Sequence, residues 1–167
     1  MSFKKTDIYN LDFNPYKYIA KDWFLVTSGN AADYNTMTAS WGQTGFIWRM
    51  PVFTTVIRTN RKTFEYTEKN EFFTISFFSE NYRDALNFCG THSGRDCDKA
   101  KETGLTVCEL DGNAAFEQAD MVFVCRKVYA QDMTEDAFVD KNILEFYKND
   151  PYHKAYTGEI VSVYVKE

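Results

Sequence analysis

The apolar residues of this chain come in short runs rich in phenylalanine and tyrosine, each about a strand in length, and they do not form helical stripes. Glu71-Phe72-Phe73-Thr74-Ile75-Ser76-Phe77-Phe78, Met121 to Tyr129 and Ile160 to Val165 are the clearest cases. Aromatics make up 17% of the residues, with 15 Phe and 11 Tyr, and aromatic and β-branched side chains pack well on a pleated surface. The pattern predicts a mainly β protein with short helices and the Glu71–Phe78 strand at its centre. Leu105 to Leu110, a turn at Asp111-Gly112-Asn113 and the Met121 strand follow one another closely, as in a barrel.

The chain has 167 residues and 44% hydrophobic composition, enough for one domain over residues 1–167 that buries about two-thirds of its unfolded surface. Its longest apolar runs are strand-sized, and Lys4, Lys5 and Asp7 interrupt the first ten residues. No membrane span or signal peptide is expected, and the expected location is the cytoplasm. Cys89, Cys97, Cys108 and Cys125 are spaced by eight, eleven and seventeen residues, without the pairs that hold zinc. Free, mostly buried thiols are expected, with Cys89 left open.

A net charge of −5 argues against nucleic acid or an anionic membrane as partner. Against that background Arg58, Arg61 and Lys62 reverse the sign locally, just after the apolar run Val52 to Ile57. Asn60 is a fitting N-cap for a short helix over Arg61 to Lys69 with Thr63 in its first turn. A helix start beside cations is a usual device for binding phosphate. The alternative is an ordinary solvated loop.

Upstream, Trp23 to Thr27 reads as a strand, Ser28-Gly29-Asn30 as a turn, and Tyr34 to Trp41 as a second strand. Alternation there sets Thr36, Thr38 and Ser40 on one face and Met37, Ala39 and Trp41 on the other. Small polar side chains make such a strand a poor core element and a good pocket wall, where backbone groups can meet the rim of a flat heteroaromatic ligand.

Gly42 to Pro51 reads as a long connection leading into the strand Val52 to Arg58, because Pro51 disfavours helix at Met50. Met50 is expected to pack in the loop; Trp48 is either a packing anchor or part of a lid. Ser79 is placed to cap a helix over Glu80 to Phe88 with a buried stripe at Tyr82, Ala85, Leu86 and Cys89. The loop Cys89-Gly90-Thr91-His92-Ser93-Gly94-Arg95-Asp96 suits an anion or a sugar-like chain, or is a plain helix-to-helix turn. A helix from Asp96 to about Glu102 follows, closed by Gly104. Asn142 to Tyr147 reads as a helical turn and Asn149 to His153 as a loop. His92 is expected as a surface turn residue, and His153 as a packing or hydrogen-bonding one.

Taken together, Asn35–Trp41, Arg58-x-x-Arg61-Lys62-Thr63, Phe72–Phe78, Tyr82-Arg83-Asp84-Ala85-Leu86, Cys89–Asp96 and His153–Ile160 resemble, in order, the flavin reductase family and its flavoredoxin-like members. The resemblance runs from about Trp23 to Val163. It implies an FMN-binding split β-barrel of Greek-key topology, working as a homodimer with the flavin near the interface. It also implies cofactor-binding roles for Asn35, Thr36, Met37, Thr38, Ala39, Ser40 and Trp41 along the ring. Arg58, Asn60, Arg61, Lys62 and Thr63 would lie near the phosphate, and Cys89, Gly90, Ser93, Gly94 and Arg95 at the ribityl-phosphate end.

In such a protein the flavin carries the chemistry, so no catalytic side chain is expected. The leading expectation is an NAD(P)H-dependent flavin reductase-like oxidoreductase. An FMN electron carrier serving a redox partner, with no nicotinamide site of its own, is the alternative. A barrel that has lost its cofactor would leave the basic cluster and both small-residue loops without a purpose.

Overall fold

The structure, a computed structural model, describes residues 2–167. Ten strands follow in the order β1 (Phe3–Thr6), β2 (Phe24–Asn30), β3 (Asp33–Ala39), β4 (Gly42–Ile47), β5 (Met50–Arg58), β6 (Phe72–Phe77), β7 (Val107–Leu110), β8 (Asn113–Phe116), β9 (Met121–Asp132) and β10 (His153–Lys166). Helices are short: α1 (Pro15–Lys17), continued by a π-helical turn over Tyr18–Asp22, then α2 (Lys62–Lys69), α3 (Arg83–Thr91) and α4 (Lys99–Thr103). An eight-stranded antiparallel sheet runs β3-β2-β6-β9-β10-β5-β4, with β1 added on β10, and β7 pairs β8 separately. The fold is a split β-barrel: β3 and β4 are the open ends, and the chain steps from one to the other through Ser40 and Trp41 alone.

Period-two alternation explains how the sheet serves two cores. From β2, Phe24 and Val26 enter the barrel interior while Leu25 faces the outer layer; from β9, Met121, Phe123 and Cys125 enter and Val122 faces out. Inside, aromatic rings meet edge-on, as in Phe24 with Phe53 at 5.4 Å and Phe77 with Phe123 at 5.5 Å, the arrangement that ring quadrupoles favour. Outside, Leu86, Cys89, Ala100, Leu105 and Phe116 cover the sheet. The β9–β10 ladder shifts register between Thr157 and Gly158. A Cβ on Gly158 would stand 2.7 Å from the Cys125 Cβ and 2.8 Å from the Phe73 ring, so only glycine fits where the strand bends.

Several local expectations differ from what is found. Gly42–Ile47 is a strand, joined to β5 by the two-residue turn Trp48-Arg49. Both turn residues lie at positive φ, 53° and 61°, the region that such a hairpin loop requires and that glycine and asparagine usually fill. Without those residue types the hairpin reads as a connection. β10 starts at His153 and not near Ile160, because the bulge at Gly158 breaks the alternation that would have extended it. Helix α3 runs on through Cys89, Gly90 and Thr91, where Thr91 Oγ1 donates back to the Asn87 carbonyl. Asp98, not Asp96, caps α4, accepting from the Lys101 N–H. No helix among the described residues is long and apolar enough to cross a membrane.

Candidate functional site

β3 has one strand neighbour, so along Asn35–Ala39 one edge of its backbone is free for other partners. Its polar side chains are satisfied inside the protein: Thr36 Oγ1 lies 2.8 Å from Thr27 Oγ1, and Thr38 Oγ1 donates to the Leu86 carbonyl. Thr36 thus ties β3 to β2 and Thr38 ties it to α3, a use for small polar residues that the alternation alone does not reveal.

Asn35 is buried and joins β3 to α2. With the amide turned so that its oxygen meets the donors, it accepts from Thr63 N–H at 3.1 Å, Thr63 Oγ1 at 2.6 Å and Thr36 N–H at 3.2 Å. The cap of α2 therefore comes from β3. Asn60 is not the N-cap; Arg61 occupies that position without a capping bond of its own, and the Asn60 carbonyl accepts from Arg95 Nη1 at 3.1 Å. Thr63 is fully buried, and its hydroxyl ties strand to helix. The end of α3 and the loop after it pack on β3: a Cβ on Gly94 would come within 2.0 Å of the end of the Asn35 amide, and one on Gly90 within 3.3 Å of the Thr38 Cβ.

Two of the cavities along β3 have no carboxylate in their lining. One, of about 190 Å³, sits between the start of α2 and the loop Gly90–Arg95, and its lining includes Asn60, Arg61, Lys62, Thr63, Ser93, Gly94, Arg95 and Lys99. No carboxylate is among its lining residues. The other, of about 250 Å³, is formed by Met37, Thr38, Ala39, Ser40 and Trp41 facing Val56, Arg58 and His153. Met37 and Arg61 line both, so cradle and cleft make one groove down the strand edge. A larger neighbouring cavity of about 420 Å³ is lined by Asp33, Asp96 and Asp98 as well as Lys62, Arg95 and Lys99; its carboxylates oppose an anion, and the cradle is the better seat for one.

The basic residues divide by what they already hold. Arg58 lines the cleft and not the cradle: it donates to the Pro151 carbonyl at 3.1 Å and the Phe146 carbonyl at 3.3 Å, and lies 3.5 Å from Asp150. Lys62 Nζ donates to the Gly94 carbonyl at 2.8 Å. Arg95 is paired with Glu65. Arg61 is different, because its buried Nε has no partner and its guanidinium forms no ion pair among the described residues. A buried guanidinium N–H without an acceptor is costly, and here it belongs to a residue that lines the groove. This donor set fits the phosphate end of a flavin mononucleotide, with the strand edge beside it for a flat polar ring.

Lys99 escapes a reading of the sequence. It is 7% exposed, and its ammonium donates to the Cys89 carbonyl at 2.7 Å and the Thr36 carbonyl at 3.0 Å. One signal was there to find: a lysine directly after the capping Asp98 stands at a helix start, where the dipole disfavours a cation. Burial pushes its pKa down, with Arg61 and Lys62 adding to the fall and Cys89 and Cys97 opposing it.

At the other end of the groove, His153 is buried against Trp41 with ring centroids 5.2 Å apart, and its Nδ1 lies 3.0 Å from the Tyr147 hydroxyl. Burial first, then the charges of Arg58 and Arg61, lower its pKa to about 4, so it is neutral near pH 7 and offers no proton. Phe146 meets Trp41 edge-on at 5.5 Å, bringing the segment before β10 against a residue that lines the cleft. The Cys89 thiol is pushed up to about 11, chiefly by burial, and is no nucleophile. All four cysteines are free.

The architecture recurs in solved structures. An FMN-binding domain of a flavin reductases-like enzyme from Shewanella baltica OS155 superposes with a TM-score of 0.71 at 16% identity, over 98% of this chain and 77% of that one. The flavoredoxin of Desulfovibrio vulgaris (Miyazaki F) gives 0.69 at 20% identity, over 98% and 78%. An NADH:FAD oxidoreductase from Streptomyces globisporus C-1027 gives 0.65 at 14%, over 87% and 75%. No curated protein matches the sequence. The family model for the flavin reductase like domain spans residues 16–167, from α1 through every strand of the sheet but β1 and both halves of the groove, and the chain belongs to that family.

Proposed function

We propose that this protein binds FMN along β3 and works as a flavin reductase-like oxidoreductase. One observation carries the reading: a cradle free of carboxylates, lined by an unpartnered Arg61, opens directly into a cleft along a strand edge. Arg61, Lys62 and the Ser93–Gly94 turn hold the phosphate; Met37 to Trp41 hold the ring. When bound, FMN supplies hydride and electron transfer at its ring, so the chain's part is to bind, orient and control access. An NAD(P)H donor is proposed on the strength of the family, in which the Streptomyces neighbour is described as an NADH:FAD oxidoreductase.

Phe146, packed on the cleft residue Trp41, favours the second reading, an electron carrier, since the pair takes up space beside the cleft that a nicotinamide would need. We also propose a homodimer of cytoplasmic protein. Its support is the exposed apolar tip of the β4–β5 hairpin, where Phe46 is 63% exposed and Ile47 and Trp48 about half. Fluorescence quenching with FMN and riboflavin tests the site, with equal affinity for the two sinking the phosphate assignment. Stopped-flow mixing of the FMN-loaded protein with NADH and NADPH separates the two readings. Reduction by either supports the reductase; none supports the carrier.

A further inference from the structure

We propose that the cavity between α1 and the turn from β3 to β4 is a second ligand site, for a neutral, flat aromatic molecule that carries one hydroxyl or carbonyl group. The proposal goes beyond the FMN reading and stands without it.

The cavity holds about 410 Å³, within the range of clefts that take small ligands. Tyr16, Ile19 and Ala20 form one wall, from α1 and its π-helical continuation; Trp41, Gln43 and Thr44 form the other. None of its nine lining residues is charged, in a chain where 26% of residues are. The cradle, the ring cleft and the cavity of about 420 Å³ each have an arginine in the wall. An anion entering this cavity would give up water and meet no opposite charge, which sets its ligand apart from FMN and from a nicotinamide dinucleotide.

Both walls are held in place. Ile19 is buried and anchors the π-helical turn in the barrel core; such turns are frequent at functional sites. Just after it the backbone passes through a positive φ of 65° at Trp23. Arg83 holds that bend: its guanidinium lies 4.3 Å from the Trp23 ring centre and donates to the Lys21 carbonyl at 2.7 Å. Opposite, Gly42 lets β4 close on β5, since a Cβ there would stand 2.7 Å from the Thr54 carbonyl oxygen.

Two aromatic side chains remain to meet a ligand, Tyr16 at 85% exposure and Trp41 at 42%, and aromatic side chains stack on flat rings. β4 has a single strand neighbour, so its free edge offers backbone N–H and C=O groups to a hydroxyl or carbonyl. A protein occupant fits less well: stable contacts take about 20–30 residues a side, and nine line this hollow. Ser40 and Trp41 also line the ring cleft, so a molecule held here is one side chain away from the occupant of the cleft.

Isothermal titration of the FMN-loaded chain with naphthol and with naphthalenesulfonate tests the site. Naphthol should bind at least roughly tenfold more tightly than the sulfonate, without releasing FMN. Ala20→Trp, which fills the cavity from outside the groove, should weaken naphthol binding about tenfold or more and leave FMN affinity within about twofold. Should that variant not fold, Tyr16→Ala, at an exposed position, should weaken naphthol binding roughly three- to tenfold, the worth of one ring contact. No binding, equal affinity for the two probes, FMN released by naphthol, or variants that bind like the wild type overturn the proposal. A wild type that takes no naphthol, and that Ala20→Trp turns from dimer to monomer in sedimentation, assigns the cavity to a second copy and overturns it too. A chain that takes up no FMN but binds naphthol in the Ala20-dependent way ends the FMN reading and leaves this one standing.

Discussion

The amide oxygen of Asn35, on β3, accepts the Thr63 N–H at 3.1 Å and so caps α2 from a strand 28 residues earlier in the chain. A helix-start donor that a local side chain would normally satisfy is here the fastener between β3 and α2, two walls of the cradle. Replacing Asn35 by alanine strips the cap and leaves buried donors unmet. Urea denaturation should show a loss of about 1–2 kcal/mol. Asn35→Asp, which keeps the acceptor, should lose less. Equal losses in the two variants would mean that the cap is not what Asn35 contributes.

Arg58 and Arg61 are separated by two residues and do different work. Arg61→Met should reduce the preference for FMN over riboflavin roughly 10- to 100-fold. Arg58→Met should leave that preference unchanged and instead loosen the segment that its guanidinium holds at Phe146 and Pro151. Limited proteolysis should then cut between residues 138 and 152 faster than in the wild type. The reverse pattern, with Arg58 controlling the preference, would refute this division.

His153 makes stability depend on pH with a definite sign. Its folded pKa is pushed down to about 4 from 6.5, so in the window between them the unfolded chain binds the proton and the folded chain does not. Stability is therefore full above the unfolded value and is lost as pH falls through the window. Between pH 7 and pH 5 the loss should be about 2 kcal/mol. His153→Asn, which retains an acceptor for the Tyr147 hydroxyl, should flatten that slope in denaturation midpoints measured at the two pH values. An unchanged slope would remove His153 as its source.

The hairpin tip is the place to test association. Phe46→Ser combined with Ile47→Ser removes exposed apolar area outside the groove, and sedimentation should show a shift toward monomer with the fold retained. A wild type that sediments as a monomer and still holds FMN would end the dimer proposal.

What could be read from the residues follows a physical divide. The β6 and β9 strands were legible because inward Phe73, Ile75 and Phe77 alternate with outward Thr74 and Ser76; a two-sided sheet writes its period into the chain. The basic cavity beside α2 was legible in part, since its cations and its small residues cluster in sequence. Asn35 as a cap and Lys99 as a pin were not, because each acts through a partner brought close by the fold. Arg58 looked like its basic neighbours, and only the carbonyls around it set it apart.

The Trp48-Arg49 turn also bears on how far the protein could be stabilised. Two non-glycine residues in left-handed backbone each carry strain of about 1 kcal/mol or more, held at the surface where Trp48 leans on Tyr129 with ring centroids 5.8 Å apart. Exchanging the pair for the residues such turns prefer, Trp48→Asn with Arg49→Gly, should raise the unfolding free energy by about 1–2 kcal/mol without touching the groove. The same exchange deletes a ring from the apolar tip. If that tip is the contact between subunits, the barrel keeps a less stable monomer in return for a stickier one, and the double substitution should show thermal stability and self-association moving in opposite directions.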